Sequence, residues 1–168
     1  MFVEASARNV HELLLASGAT IAVAESLTGG LLGAELTSIA GTSATFLGGI
    51  TAYASEAKTS LLGVSADLLA LHGAVHPDVA AAMAHGVRAR FGSTYAVALT
   101  GVAGPDAHDG QPPGTVYVAL VGAGPERMLA LSLAGARGTV RREAVRAALD
   151  LLVQELDTSL DTGGKPGA

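Results

Sequence analysis

One lysine stands out among the residues that could do chemistry. Lys58 and Lys165 are the only two lysines, and Lys165 lies in a Gly/Pro-rich tail. Arginine carries surface charge as well as lysine does, but it keeps its proton at ordinary pH and cannot act as a general base. Lys58 is therefore a candidate base, although a solvated lysine retained by chance explains the pattern equally well.

A serine and a tyrosine near Lys58 could complete a nucleophilic pair. Ser43 lies on a predicted turn before a glycine-flanked strand, where free backbone N–H groups are available. Most turn serines only bond the local backbone, so Ser43 is a weak candidate by itself. Lys58 and Tyr53 strengthen it: a neutral lysine can take the serine proton and return it to a departing nitrogen, while a tyrosine orders the pair.

A second serine forms a rival pattern with the same lysine. Ser55 and Lys58 match the S-x-x-K spacing of penicillin-recognising enzymes. That class also needs S-D-N and K-T-G elements, and neither string occurs here. We therefore expect Ser55 to be a helix N-cap.

Three arginines suggest an anion site. Arg141 and Arg142 are predicted in the first turn of the last helix, with Arg137 just before it, where cations oppose the helix dipole. A bound phosphate would explain this placement, because free N–H groups and guanidinium forks together bind oxyanions. The alternative is a solvated arginine face that Glu143 partly offsets.

Polar turns follow two predicted strands. They contain Ser26, Thr28 and Gly29, and then Thr100 and Gly101, and both suit backbone contacts to a ligand, although such turns are also ordinary folding devices. Glu25 could hold ribose hydroxyls or cap the next helix. No metal site is predicted, because the histidines and the polar loop residues lack a recognised ligand spacing. The residues considered are His11, His72, His76, His85, His108, Asp106 and Asp109. No cofactor is predicted either.

The spacing of apolar residues predicts the helices and strands that must position these side chains. Helices are predicted over about 3–17, 30–38, 56–62, 65–73, 77–91 and 140–156, and strands over about 20–24, 48–53, 95–99, 114–121 and 128–134. This order predicts a three-layer α/β/α sandwich with a mixed sheet of about five strands. We expect one domain over residues 1–157 and a disordered tail over 158–168.

Composition limits the classes of function. The 168 residues are 49% hydrophobic and 15% charged, with net charge −5 and no cysteine. Apolar runs are too short to span a membrane, no signal peptide is recognisable, and no basic stripe suggests nucleic acid. These features predict a cytoplasmic protein that takes a small-molecule substrate, with neither membrane nor nucleic acid as partner. The high apolar content favours a homo-oligomer.

Taken in order, several motifs resemble the C-terminal family of CinA, the competence/damage-inducible protein. They are residues 24–30, AESLTGG; 41–44, GTSA; 53–58, YASEAK; 100–106, TGVAGPD; and 114–116, GTV. The resemblance implies the fold given above and a stand-alone nicotinamide-nucleotide amidohydrolase of NAD metabolism, in pyridine nucleotide salvage. Such an enzyme hydrolyses the carboxamide of nicotinamide mononucleotide to nicotinic acid mononucleotide and ammonia through a Ser/Lys acyl-enzyme.

The resemblance also implies roles for individual residues. Ser43 would be the nucleophile, Lys58 the base and Tyr53 its partner. Glu25, Thr100 and Arg141 would line the nucleotide site. The chain departs from the usual family residues at three positions, which are Ser55 for Asn, His76 for Ser and Gln111 for Lys. The alternatives are a binding module that holds a pyridine nucleotide or related phosphate without turnover, and metal-assisted hydrolysis through the loop of residues 106–109.

Overall fold

The computed structural model describes residues 2–163, and within them helices and strands alternate as the sequence predicts. The strands are β1 (Ile21–Glu25), β2 (Phe46–Thr51), β3 (Tyr95–Gly101), β4 (Thr115–Val121) and β5 (Arg127–Ser132). The helices are α1 (Phe2–Ser17), α2 (Leu31–Thr37), α3 (Ser55–Leu62), α4 (Ala66–His72), α5 (Pro77–Phe91) and α6 (Arg137–Gly163), with a short 3-10 turn at Thr42–Ala44.

The five strands form one mixed sheet in the order β2-β1-β3-β4-β5. β1 pairs in parallel with both β2 and β3, while β4 is antiparallel to β3 and to β5. The chain leaves β1 toward β2 on one side and later returns to β3 on the other side. The carboxyl ends of β1 and β3 therefore meet at a topological switch point, where open α/β sheets bind their ligands.

Helices cover both faces of the sheet, which confirms the three-layer sandwich. α1, α2 and α6 pack on one face, and α3, α4 and α5 lie on the other. The central strands are buried on both sides because their side chains alternate between two apolar cores. Toward α5 these strands present only small residues, namely Ala22, Ala24, Ala96 and Ala98.

A glycine on α5 brings α3 close to this small-residue face. A Cβ at Gly86 would lie 1.9 Å from the carbonyl oxygen of Leu62, the last residue of α3. That separation is far inside van der Waals contact, so only glycine fits without moving one of the helices. The close approach holds α3, which carries Lys58, against the core.

Three local predictions need correction. Ser55 is the first residue of α3, and Ala54 occupies the N-cap position. α6 begins at Arg137, so Arg141 and Arg142 lie in its second turn. α6 also continues to Gly163, because no proline or glycine lies between residues 139 and 162, and Thr158 and Ser159 bond backbone carbonyls one turn earlier. Residues 158–163 are therefore helical, and 164–168 lie outside the described residues.

None of the helices among residues 2–163 is long and apolar enough to cross a membrane.

Candidate active site

A cavity of about 510 Å³ opens at the carboxyl edge of the sheet, at the switch point. Its volume is typical of small-molecule sites. The turns after β1 and β3, the beginning of α3 and the beginning of α6 surround it. The lining consists of residues 26–27, 53–56, 58, 74–75, 100–108 and 137.

Lys58 is fully buried at the base of this cavity. Its side chain has 0% exposure, and its Nζ lies 2.8 Å from the carbonyl oxygen of Ala52 and 3.1 Å from that of Tyr53. The third neighbour of Nζ is the Oγ of Ser26, at 3.0 Å. Of the two interpretations that the sequence left open, the solvated surface lysine is therefore wrong, and the candidate base is compatible with this burial.

Burial lowers the pKa of Lys58 from 10.5 to about 8, and the negative charge of Asp109 offsets part of this effect by favouring the ammonium form. A neutral amine has two N–H donors and one lone pair. The two carbonyl oxygens can accept both N–H groups, and the lone pair can then accept the hydroxyl proton of Ser26. The surroundings of Nζ thus suit a general base.

Ser26 is the serine that the fold brings to Lys58. It follows β1 directly and is 8% exposed. Its backbone N–H bonds the carbonyl of Leu99 on β3, and its own carbonyl accepts the N–H of Gly29. These bonds fix the hydroxyl between the ends of the two central strands. We expected Ser26 only as a substrate contact, but its position beside the lysine also fits a nucleophile.

The expected pairing of Ser43 with Lys58 is not formed within the chain. Ser43 is exposed and lies in the 3-10 turn that precedes β2, whereas Lys58 follows that strand. The six residues of β2 separate the two side chains by the length of the strand, roughly 20 Å. Ser43 is not part of the cavity lining.

Tyr53 contributes differently from the expectation. Its backbone carbonyl, rather than its phenol, contacts Lys58. The phenol is largely exposed and accepts a hydrogen bond from Arg137 Nη2 at 3.0 Å, while Nη1 donates to the carbonyl of Gly104 at 2.8 Å. Arg137 thus bridges two walls of the cavity, and a guanidinium has donors left over for a ligand.

Glu25 points away from the cavity and caps α2. Its buried carboxylate accepts three backbone N–H groups, those of Gly30 and Leu32 at 3.0 Å and that of Gly33 at 2.8 Å. This negative charge occupies the amino terminus of α2, where the helix dipole favours an anion. Of the two roles open from sequence, helix capping is the one that the structure supports, and ribose binding is not.

Replacing Glu25 with alanine is expected to destabilise the fold. The variant leaves three N–H groups without acceptors, one buried and two partly buried, so we expect Glu25→Ala to lower the free energy of unfolding by roughly 3 kcal/mol. Chemical denaturation measures this loss. Glu35→Ala, on the same helix, is the control, because the carboxylate of Glu35 has no hydrogen bond or ion pair within residues 2–163. Equal stabilities of the two variants would contradict the capping role.

The remaining two arginines do not enter the cavity. Arg141 donates through Nε to the carbonyl of Leu27 at 3.0 Å and through Nη2 to that of Thr28 at 2.7 Å, so it stabilises the turn after β1. Arg142 is exposed on α6. Of the three arginines from which a phosphate site was expected, Arg137 is the one that lines the cavity, because the side chains of a helix point in different directions.

Two other predicted contacts, Thr28 and Gly29, shape the same turn. Thr28 is fully buried, and its Oγ1 has no hydrogen-bond partner among the described residues. Gly29 has φ +62, a conformation that favours glycine. Neither residue lines the cavity, so both support Ser26 rather than contact a ligand there.

The opposite wall depends on the end of β3 and on a polar loop. Thr100 donates to the carbonyl of Ala74 at 2.7 Å, and Asp109 accepts the N–H of the same residue at 2.6 Å. Thr100 and Gly101 both line the cavity. The Asp109 carboxylate is engaged in this wall, and residues 106–109 form no three-ligand group in the described part of the chain.

The comparisons with known proteins agree with one another. A family model described as the CinA C-terminal domain matches residues 3–156. A CinA-like protein of Frankia casuarinae is 51% identical over 140 residues, 83% of this chain and 32% of the relative. A CinA-like protein of Citrifermentans bemidjiense is 47% identical over 154 residues, 91% of this chain and 37% of the relative. This chain therefore spans about a third of the length of these curated relatives.

Solved structures resemble nearly all of the fold. The crystal structure of a competence-damaged protein (CinA) superfamily protein from Klebsiella pneumoniae has a TM-score of 0.90 and 34% identity, covering 93% of this chain and 98% of that one. The crystal structure of a competence/damage inducible protein from Agrobacterium tumefaciens has a TM-score of 0.89 and 35% identity, with coverages of 94% and 96%. These two proteins therefore share about a third of their aligned residues with this chain, as well as its fold.

Proposed function

We propose, from the premise that this chain belongs to the CinA C-terminal domain family, that the cavity is the active site of an amidohydrolase acting on nicotinamide mononucleotide. The products would be nicotinic acid mononucleotide and ammonia. The observation that carries the proposal is the fully buried Lys58, 3.0 Å from the hydroxyl of Ser26. A buried amine beside a serine provides a base and a nucleophile together.

In the first half of the reaction, neutral Lys58 takes the proton of Ser26 as Oγ attacks the carboxamide carbon. The tetrahedral intermediate then collapses: the C–N bond breaks, and the Lys58 ammonium gives its proton to the departing nitrogen. Ammonia leaves, and the acyl group stays on Ser26. With a pKa of about 8, about a tenth of the lysine is neutral near pH 7.

The second half reverses these roles with water as the nucleophile. Lys58 deprotonates the water that attacks the ester carbon, and its proton returns to Ser26 Oγ as the acid is released. The oxyanion of both intermediates needs N–H donors. Leu27 supports this role, because it follows Ser26, lines the cavity, and its N–H makes no hydrogen bond within residues 2–163.

The phosphate of the substrate would bind on the side of Arg137. This guanidinium lines the cavity, as do Ser55 and Glu56 at the beginning of α3. The N-cap residue Ala54 offers no side-chain acceptor to the first N–H groups of that helix. Unpaired N–H groups and a guanidinium together favour an oxyanion.

Arg137→Ala is expected to raise KM for nicotinamide mononucleotide by about tenfold to a hundredfold, the loss of one charged contact. Nicotinamide riboside, which lacks the phosphate, should show little change, and steady-state assays with both substrates measure the difference. Arg142→Ala, on the exposed side of α6, is the control. An equal effect of Arg137→Ala on both substrates would contradict phosphate binding.

The proposed activity is tested by ammonia release from nicotinamide mononucleotide with chelator-treated protein. Stoichiometric ammonia and nicotinic acid mononucleotide are expected, and their absence at high enzyme concentration would reject the proposal.

The second candidate function, nucleotide binding without turnover, also has an observation in its favour. The three oxygens around Nζ would satisfy an ammonium as fully as a neutral amine, so Lys58 could be structural. Binding of the nucleotide without ammonia release would support this candidate. Activity that is lost in the presence of chelator and restored by metal would instead favour metal-assisted hydrolysis.

A further inference from the structure

Two histidines and an aspartate gather outside the cavity, at the connection between α4 and α5. His72 is the last residue of α4, His76 is the N-cap of α5, and Asp78 lies in the first turn of α5. One ring nitrogen of each histidine and one carboxylate oxygen all lie within 4.8 Å of one another. The histidines are partly buried and the aspartate is exposed, so solvent can reach the group.

Glycine makes this arrangement possible. Gly73 ends α4 with φ 73 and ψ −176, a conformation that turns the chain sharply and that other residues rarely adopt. The turn brings His76 back over His72, and the rings stack with centroids 3.9 Å apart and an interplanar angle of 13°. The two imidazoles therefore come from different elements but are held side by side.

We propose that His72, His76 and Asp78 bind one divalent transition-metal ion of the zinc class. Imidazole nitrogen and carboxylate oxygen are ligands that zinc accepts, with metal–ligand bonds of about 2.1 Å that place two tetrahedral ligands roughly 3.4 Å apart. His76 Nδ1 and Asp78 Oδ2 are 3.7 Å apart. Rotation of the His76 ring and the Asp78 carboxylate closes the difference, turns the ring out of the stack with His72 so that both rings can face one ion, and displaces the 3.2 Å bond from the Asp78 N–H to Nδ1.

The proposed metal site lies outside the cavity, but the backbone connects the two. None of the three ligands lines the cavity, whereas Ala74 and Val75, which lie between the histidines in sequence, do. Ala74 is also the residue that Thr100 and Asp109 hold. A bound ion would join the end of α4 to the start of α5 and hold this wall in place. The expected consequence is stabilisation of the fold rather than participation in chemistry.

Calorimetric titration of the tag-free, chelator-treated and dialysed protein with Zn²⁺ tests the proposal. We expect one ion per chain, and an affinity about tenfold or more weaker in His76→Ser and in His72→Gln, because each removes one of three ligands. His85→Gln is the matched control. His85 also pairs with a carboxylate, Glu126 at 2.8 Å, but no third ligand joins them among residues 2–163.

Thermal unfolding provides a readout that does not depend on activity. Zn²⁺ should raise the Tm of the wild type and of His85→Gln, and should raise it much less in His76→Ser and His72→Gln. The proposal is overturned if a large molar excess of Zn²⁺ neither produces binding heat nor raises the Tm. It is equally overturned if wild type, His76→Ser and His72→Gln bind the ion with the same affinity, since the ligands would then lie elsewhere.

Discussion

Ser26→Ala is expected to lower kcat/KM for ammonia release from nicotinamide mononucleotide by about a thousandfold or more, the usual effect of removing a covalent nucleophile. Ser43→Ala is expected to leave kcat/KM within about threefold of the wild type, because surface changes away from a site perturb it little. The two variants remove the same hydroxyl group from opposite edges of the sheet. Their comparison therefore distinguishes the nucleophile from a general effect of serine loss.

The control for this comparison is a measurement that both variants keep the wild-type fold. Ser26→Ala removes a hydroxyl partner of Lys58 but keeps both backbone carbonyl acceptors of Nζ. We therefore expect circular dichroism and the Tm of the two variants to stay close to those of the wild type. If Ser43→Ala were inactive and Ser26→Ala active, the nucleophile would be Ser43, and Lys58 would have to reach it from another chain or through a rearrangement.

The order of the elements could be predicted from the sequence because each signal is local. Helix α1 stops at a glycine, α4 has a serine N-cap that accepts the N–H of Leu68, and α5 begins with a proline and ends at a glycine. Such stops and caps act within a few residues, as does the alternation of apolar side chains in strands. The five-strand mixed sheet follows from them.

The pairing of Ser26 with Lys58 could not be predicted from local signals in the same way. Composition singled out Lys58, but the choice among serines came from a resemblance rather than from geometry. A topological argument was available: the carboxyl ends of parallel strands share one edge, and Ser26 and Lys58 each follow a parallel strand. Ser43 precedes its strand and so belongs to the opposite edge. That signal would have favoured Ser26.

The hydrogen-bond partners of long charged side chains were the hardest feature to predict. Arg141 bonds carbonyls more than a hundred residues away in sequence, and Arg137 bridges Tyr53 and Gly104 across the cavity. Position on a helix does not determine such partners, because several flexible torsions separate the charge from the backbone. For Glu25 the helix-capping role could be inferred, since a carboxylate before a glycine-rich helix start is a local pattern.

Lys58→Arg and Lys58→Ala are each expected to lower kcat/KM by about a thousandfold or more, because arginine keeps its proton and alanine has no base. In the wild type, kcat/KM should rise with pH and level off above about pH 8, as the neutral amine becomes the dominant form. Rates measured across this range test the assignment. A profile that is flat from about pH 6 to about pH 9 would show that Lys58 is not the base.

The same pKa predicts how the stability of the protein depends on pH. Lys58 titrates at about 8 when folded and at 10.5 when unfolded, so the unfolded state binds more protons between these values and the free energy of unfolding rises with pH there. Burial of the charged amine lowers the free energy of unfolding of the wild type, and this effect is largest below about pH 8. Lys58→Met has no charge to bury, so its stability lacks this pH dependence. The stability of Lys58→Met relative to the wild type should therefore fall by about 2 kcal/mol between about pH 7 and about pH 10. Lost hydrogen bonds change the difference by a constant amount, so its pH dependence, measured by urea denaturation, reports on the amine alone. A difference that stays constant over this range would mean that the buried group does not titrate there, and both the base and its activation by burial would have to be abandoned.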